Sequence, residues 1–109
     1  MISDIMKYMF EHLSEPINAD SVAKHFCISR SKLDKDFNKY TQTSFRQFLI
    51  TMRLTNAVSL LWGNKLSISE IAAASGFETE NHFYTQFKKR EGITPLQYRK
   101  KALRHMGIK

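Results

Sequence analysis

The sequence predicts an all-α fold of seven helices with no strand, and three of its features support this prediction. Apolar residues recur at steps of three and four, the spacing of one face of an α-helix. Residues that cap helix N-termini stand directly before these segments. The 109 residues include only four Gly and two Pro, about half the average proportion, so few positions interrupt helices. An apolar share of 42% is sufficient for a folded core.

The first three helices are predicted from apolar spacing and from the residues at their ends. An amphipathic helix begins near the first residue, and Pro16 is expected to stop it. Its apolar positions are Ile2, Ile5, Met6, Met9, Phe10 and Leu13. Asn18 caps the short helix that follows, and Ser29 or Arg30 opens the next, longer one.

Four further helices follow, and capping boxes mark three of their starts. In such a box the two side chains each accept a hydrogen bond from the other residue's backbone N–H group. The three pairs are Ser44 with Gln47, Ser67 with Glu70, and Thr94 with Gln97. Thr79 opens the remaining helix. Gly and Asn tolerate the left-handed backbone that ends many helices, and the expected ends are Gly63-Asn64, Gly76 and Gly92.

The chain contains the same succession of elements twice. Val22-Ala23 matches Ile71-Ala72 at an offset of 49 residues, and later matches have an offset of 50 because a turn gains one residue. These later pairs are Leu33 with Phe83, Phe37 with Phe87, Lys39 with Lys89, Ser44 with Thr94, and Phe48 with Tyr98. Each copy is a short helix, a tight turn and a longer helix, which is helix-turn-helix anatomy. Chance similarity between short helices is the alternative, and so many matches in register argue against it.

The charge of the chain is uneven. Its net charge is +7, although residues 1–20 carry four acidic residues and only one basic residue. A basic excess in the remainder indicates a polyanionic partner, either nucleic acid or an acidic membrane face; an ordinary basic surface is the alternative. The single cysteine, Cys27, excludes an internal disulfide and fits a reducing cytosol. Its apolar neighbours Phe26 and Ile28 predict a buried structural thiol.

The repeat predicts three segments that form one unit. Residues 1–43 hold the first helix-turn-helix, residues 44–62 a linker helix, and residues 63–109 the second helix-turn-helix. The linker would span roughly 28 Å, a scale similar to the ~34 Å between successive major-groove faces of DNA. Its apolar residues provide surface for both subdomains, and these are Leu49, Leu54, Ala57, Val58, Leu60 and Leu61.

The exposed faces of the two longer helices, about 30–40 and 80–91, carry the candidate DNA contacts. Base edges are met by residues near the N-terminus of a recognition helix, here Ser31, Lys32 and Lys35 in one copy and Asn81, His82 and Thr85 in the other. Asn suits adenine, Lys suits guanine and a Thr methyl suits thymine. Positions expected at phosphates are Arg30, Asn38, Lys39, Lys88 and Lys89. Asp34 and Glu80 either accept from cytosine, repel phosphates, or stabilise the helix start.

A long spaced pattern in the second half of the chain supports one family. Its members are Arg53-Leu54, Ala57, Leu60-Leu61, Ile68, Ile71-Ala72, Gly76-Phe77, Phe83, Phe87-Lys88, Gly92, Thr94-Pro95 and Tyr98-Arg99. With the repeat, it resembles the DNA-binding domain of the AraC/XylS family of bacterial transcription regulators, over nearly the whole chain. The resemblance implies a monomeric domain with homeodomain-like helix-turn-helix units, cytosolic action at the nucleoid, and activation through RNA polymerase.

The resemblance also implies base-contacting positions, and this chain departs from the family at some of them. The implied positions are Ser31, Asp34, Lys35, Asn81, His82, Tyr84 and Thr85. Small stand-alone members often carry Trp and Gln where this chain has Ser31 and Asp34, so its operator is expected to differ. Cys27 stands where many relatives have Gly or a polar residue. Most members carry a further N-terminal sensing or dimerising domain, and the first helix, which begins almost at Met1, suggests an excised domain.

Other classes of function receive less support from the sequence. The four His residues lack ligand spacing, so no metal or other cofactor is expected. No Gly-rich phosphate loop or catalytic motif is present, and an enzyme is not expected. An RNA-binding module usually displays stacking aromatics on a sheet, whereas these aromatics have helical core spacing. A protein-interaction domain for RNA polymerase or another acidic partner, with only non-specific DNA affinity, remains the alternative. Trp62 is expected in core or hinge packing, and Tyr84 could equally brace its helix.

Overall fold

The computed structural model describes residues 1–63 and 65–105, and these residues form seven helices and no strand. The helices are α1 Ile2–Glu11, α2 Ala19–His25, α3 Arg30–Thr41, α4 Phe45–Leu61, α5 Ile68–Ala74, α6 Glu80–Glu91 and α7 Pro95–His105. The all-α prediction is therefore confirmed. The expected helix end at Gly63-Asn64 includes Asn64, which lies outside the described residues.

The caps that the sequence predicts are present at the helix starts. Ser29 is the N-cap of α3 and Thr79 is the N-cap of α6, each accepting a bond from the third residue of its helix. Ser67 and Glu70 form a full capping box at α5. Three other starts also carry side-chain caps, provided by Asn18 with Ser21, Ser44 toward Gln47, and Thr94 with Gln97. Because unpaired N–H groups at helix ends are satisfied in this way, local sequence fixes where most helices begin.

The tight turns of the two copies have the same hydrogen bonds. After α2, Cys27 N–H donates to Lys24 and Ile28 N–H to Ala23 at 3.1 and 3.0 Å; the corresponding bonds after α5 have the same lengths. Those bonds join Gly76 to Ala73 and Phe77 to Ala72. The extra residue of the second copy is Glu78, because Ile28 directly precedes the cap of α3 whereas Glu78 separates Phe77 from the cap of α6.

The prediction of a buried thiol at Cys27 was wrong. Cys27 is exposed, and its backbone has a left-handed φ of 55°. It occupies the position that Gly76, with a φ of 94°, holds in the second copy. The chain reverses at this residue after the helix ends, so the side chain points away from the core although both of its neighbours are apolar.

The first compact unit comprises Met1–Met52. Its core is formed by residues from all of its helices, namely Ile5, Met9, Leu13, Ala19, Val22, Ala23, Leu33, Phe37, Phe45 and Leu49. Helix α1 ends at Glu11, before Pro16, so Pro16 does not stop it. Phe10, which the apolar spacing placed with the core positions, is 67% exposed, while Leu13 beyond the helix end is buried.

The second compact unit comprises Arg53–Lys109, so the boundary between units falls within α4. Its buried apolar residues are Leu54, Ala57, Leu61, Ile71, Ala72, Phe77, Phe83, Phe87 and Ala102. Arg99 is buried, and its Nε lies 3.5 Å from the Leu61 carbonyl at the end of α4. Trp62 is 41% exposed, so of its two predicted places, in the core or in hinge packing, the core was wrong.

Aromatic packing repeats between the copies. In the first unit the Phe37 ring meets the Phe48 ring edge-on, with centroids 5.6 Å apart. In the second, Phe87 meets Tyr98 in the same way at 5.6 Å. Both pairs are related by the offset of 50, so the repeat in the sequence is a repeat of core contacts.

Candidate nucleic-acid interface

Helices α3 and α6 present matching polar faces. Both have 12 residues, and in both the buried residues are two large apolar side chains one turn apart. Most candidate contacts are exposed, namely Arg30, Ser31, Lys32, Lys35, Asn38 and Lys39 on α3 and Asn81, Thr85, Lys88 and Lys89 on α6. Asp34, His82 and Tyr84 are half-buried. Apart from Arg30, Asp34 and Tyr84, which the helical repeat did not place there, these residues lie on or beside the face of the helix that it predicted.

The start of α6 combines fixed and open side chains. Thr85 Oγ1 donates to the Asn81 carbonyl at 3.0 Å, and the Thr85 side chain is exposed. The His82 ring meets the Phe77 ring edge-on, with centroids 5.6 Å apart, so the core orients it. Asn81 has no side-chain hydrogen bond within residues 1–63 and 65–105. Its amide therefore has both donor and acceptor capacity available for a base edge.

An open hollow lies beside the later part of α6. Its volume is about 440 Å³, and its lining consists of Tyr84, Thr85, Lys88, Lys89 and Thr94. Its lining therefore includes two residues expected to contact bases and two lysines expected to contact phosphates. Thr94, the cap residue of α7, was not predicted as a contact. The only sequence signal for it was that it matches Ser44 in the repeat.

The start of α3 is crossed by ion pairs that the sequence interpretation did not include. Arg30 Nη1 lies 3.0 Å from Asp20 Oδ1, and Arg30 Nε lies 3.3 Å from Asp34 Oδ1. The hydrogen bond to Asp20, followed by that to Asp34, raises the pKa of Arg30 above its ordinary value. The four-residue spacing to Asp34 is a signal that could have revealed this pair, whereas the contact with Asp20 depends on the turn.

A second ion pair lies two positions further along the helix. Lys32 Nζ is 3.3 Å from Asp36 Oδ2, and the Asp36 side chain is only 20% exposed. The Lys32 amino group is thus partly neutralised, while Lys39 lies 5.3 Å from the centroid of the exposed Tyr40 ring. Exposed ion pairs are weak in water, so a base edge or a phosphate can replace Asp36 as the partner of Lys32.

The end of α6 concentrates positive charge. Its last turn contains Lys88, Lys89 and Arg90, and cations here also complement the helix dipole. Arg90 is engaged with Thr55 at 3.3 Å and with Glu91 at 3.6 Å. Lys88 and Lys89 have no ion pair within the part of the chain that is described, so their charges face solvent beside the hollow.

Within residues 1–63 and 65–105, no three His, Cys, Asp or Glu side chains are grouped to hold a metal ion. In the same residues, no helix has the length and apolar character needed to cross a membrane. The candidate polar groups on each helix include amides, hydroxyls and amines, with the Arg30 guanidinium and Asp34 carboxylate on α3 and the His82 imidazole on α6. Such donors and acceptors can contact base edges and phosphates.

Comparison with known proteins matches this architecture to helix-turn-helix regulators. Residues 22–101 match a family model described as "Helix-turn-helix domain", a range that includes both α3 and α6. The chain is 31% identical over 91 residues to the HTH-type transcriptional regulator ArgR of Pseudomonas aeruginosa, covering 84% of this chain and 28% of that protein. It spans between 27% and 33% of the length of the first curated relatives.

Two solved structures share the fold closely. The DNA-binding domain of AdpA, a global transcriptional factor solved in complex with a target DNA, has a TM-score of 0.90 and 27% identity, with 94% of this chain and 93% of that chain covered. The C-terminal domain of AraT, a response regulator from Geobacillus stearothermophilus, has a TM-score of 0.87 and 32% identity, with 92% and 84% covered.

Proposed function

Because this chain belongs to the AraC/XylS family of helix-turn-helix DNA-binding transcription regulators, we propose that it reads specific duplex sequences by placing α3 and α6 in major grooves. The family consists of DNA-binding regulators and not of enzymes. The observation that carries the proposal is the repeated scaffold, since two helices of equal length present polar faces from matching caps and matching aromatic cores.

The side chains divide by chemistry between base reading and phosphate contact. Base edges are read near the two helix starts, by Ser31, Lys32, Asp34, Lys35, Asn81, His82, Tyr84 and Thr85. Asn81 pairs with adenine through its open amide, and the methyl of the exposed Thr85 contacts thymine. Phosphates are contacted further along the helices, by Asn38, Lys39, Lys88 and Lys89. The Arg30 guanidinium already binds two carboxylates.

We further propose that the domain acts as a monomer in the bacterial cytosol, at the nucleoid, and activates transcription by contacting RNA polymerase. Several relatives are named as operon regulators, including the melibiose operon regulatory protein of Escherichia coli, 28% identical over 99 residues. The competing function is a protein-interaction domain that binds RNA polymerase or another acidic partner. Such a domain would hold DNA through charge alone, without sequence preference.

Selection from a random duplex pool tests base reading, with two asparagines as a matched pair. Asn81 is expected at a base and Asn38 at a phosphate, and both are exposed. Asn81→Ala should cost about 1–3 kcal/mol at one adenine and little elsewhere, because a bidentate contact is lost. Asn38→Ala should weaken binding evenly over all sequences.

The result for the unchanged chain decides between the two functions. Enrichment of a common sequence supports the regulator. Salt-sensitive binding without enrichment, together with capture of purified RNA polymerase, supports the interaction domain. An even loss of affinity on all sequences for Asn81→Ala contradicts its assignment to a base.

A further inference from the structure

Arg30 is the first residue of α3, and its guanidinium joins the two helices of the first helix-turn-helix. Nη1 donates to Oδ1 of Asp20 on α2 at 3.0 Å, and Nε donates to Oδ1 of Asp34 on α3 at 3.3 Å. The planar guanidinium has several donors in a fixed arrangement, so one arginine can hold two carboxylates where a lysine acts only as a point charge. The Asp34 carboxylate is thereby held in position, and its negative charge is offset.

Helix stability does not account for this arrangement. A cation in the first turn opposes the helix dipole, and a base four residues before an acid is the less favourable order on a helix. The side chains of Arg30 and Asp34 are 54% and 48% exposed, and exposed pairs contribute little to folding. The second copy lacks the arrangement, because Glu80 and Tyr84 stand at the positions of Arg30 and Asp34.

A carboxylate among DNA-reading side chains distinguishes the four bases because it cannot donate a hydrogen bond. Ionised Asp accepts hydrogen bonds and donates none. In the major groove guanine offers acceptors only and thymine an acceptor and a methyl, while adenine places an acceptor beside its amino group. Cytosine offers an amino donor. Asp34 Oδ2 makes no hydrogen bond within residues 1–63 and 65–105, so one oxygen remains for a base while Oδ1 faces Arg30.

We propose that Asp34 selects a cytosine by accepting a hydrogen bond from its N4 amino group, and that Arg30 is the positioning residue. Arg30 orients the Asp34 carboxylate and offsets the negative charge that would otherwise repel phosphates. Asp20 anchors Arg30 to α2. The proposal rests on the proposed function and changes the assignment of Arg30 from a phosphate contact to a residue that acts through Asp34.

The test compares the base preferences of five variants with those of the unchanged chain in the duplex selection. Asp34→Ala should lower the preference for one C·G pair by about 5- to 150-fold and leave the others. Arg30→Gln should lower the preference at that same pair, and adding it to Asp34→Ala should change nothing further there. Arg30→Lys should restore only part of the preference, because lysine lacks the two-armed geometry.

Asp34→Asn gives a readout that misfolding cannot imitate. An amide pairs with adenine N6 and N7, so this variant should exchange the cytosine preference for an adenine preference at that one pair. Thermal unfolding of every variant near the temperature of the unchanged chain establishes that the fold is intact.

The opposing results separate this inference from the proposed function. If Arg30→Gln weakens binding evenly and lowers the salt slope by about 0.9, Arg30 contacts a phosphate and the inference is overturned. It is also overturned if Asp34→Ala and Asp34→Asn leave the selected sequence unchanged, although the proposed function then stands. A chain that selects no sequence overturns both.

Discussion

The two halves of the molecule share a scaffold and differ in charge. Residues 1–52 contain seven Lys or Arg and six Asp or Glu, a net charge of +1, whereas residues 53–109 contain ten and four, a net charge of +6. The turns, caps and aromatic contacts nevertheless match at offsets of 49 and 50. The scaffold depends on buried residues and helix ends, so surface charge has been free to diverge.

The charges are also used differently. On α3, Arg30 and Lys32 lie against carboxylates, while the lysines in the last turn of α6 face solvent beside an open hollow. Phosphate contact supplies affinity that depends on salt but not on sequence. We therefore expect the second unit to provide most of the salt-dependent affinity. The first unit should depend more on base contacts than on phosphate contacts.

The largest effects should come from the shared core and should be alike in both copies. Phe37 and Phe87 are each fully buried and packed edge-on against an aromatic partner. Phe37→Ala and Phe87→Ala should each lower the free energy of unfolding by about 3–5 kcal/mol in denaturant titrations. Phe10→Ala, at a side chain that is 67% exposed, is the control and should change it by less than about 0.5 kcal/mol. A small loss in only one copy would break the equivalence of the two scaffolds.

The charge difference can be measured on a non-specific duplex. Replacing Lys88 and Lys89 together by Ala should lower the slope of log K against log salt by about 1.8, since each phosphate contact contributes about 0.9. The same change at Lys32 and Lys39 should lower it by about half as much, because Asp36 already offsets the charge of Lys32. Fluorescence anisotropy over a series of salt concentrations gives both slopes. Equal slopes would remove the proposed difference between the units.

The C-terminal caps of α3 and α6 provide a smaller, matched test. Gln42 and Gly92 both have left-handed backbones, with φ of 59° and 81°. No atom lies within 4 Å of a Cβ placed on Gly92, so Gly92→Ala adds backbone strain alone. It should cost about 1 kcal/mol, while Gln42→Gly should gain up to about 1 kcal/mol by relieving the same strain. Denaturation midpoints, at unchanged m-values, give the stability change of each variant. A Gly92→Ala variant more stable than the unchanged chain would contradict the assigned cap.

The smallest effect concerns pH and the two short helices α2 and α5. The Ser67 backbone N–H, and then its side chain, hold the pKa of Glu70 below its ordinary value of 4.5. Because the folded pKa is lower than the unfolded one, this stabilisation is present above about pH 4.5 and is lost as the pH falls through the folded value. The thermal unfolding temperature should therefore fall less on acidification in Glu70→Gln than in the unchanged chain. The box of α2 uses Asn18 and Ser21, which do not titrate, so Ser21→Ala should leave the acid dependence unchanged.

Sequence reasoning recovered the helices and the repeat because caps and core spacing are local signals. Asn18, Ser29, Ser67 and Thr79 each mark a helix start by chemistry that involves only the next few residues. The polar faces of α3 and α6 followed in turn from the positions of the buried pairs. That these faces bind specific bases and phosphates stays a prediction.

Burial outside regular helix faces was the part that local patterns could not determine. Cys27 follows a chain reversal, Phe10 lies on the outer side of α1, and Trp62 follows the last residue of α4. Arg99 is followed directly by two lysines, yet its side chain is buried and lies against the Leu61 carbonyl. The Arg30–Asp20 pair depends on how α2 and α3 meet, so charge patterning along one helix did not reveal it.

Hydroxyl-radical footprinting of the chain on its selected duplex tests the central claim most directly. If α3 and α6 both read the major groove, the footprint should show two protected patches about one helical turn apart on one face of the DNA. The patch of the second unit should fade first as salt is raised, because it depends more on phosphate contacts. A single patch, or protection spread evenly without a boundary, would contradict reading by two helices.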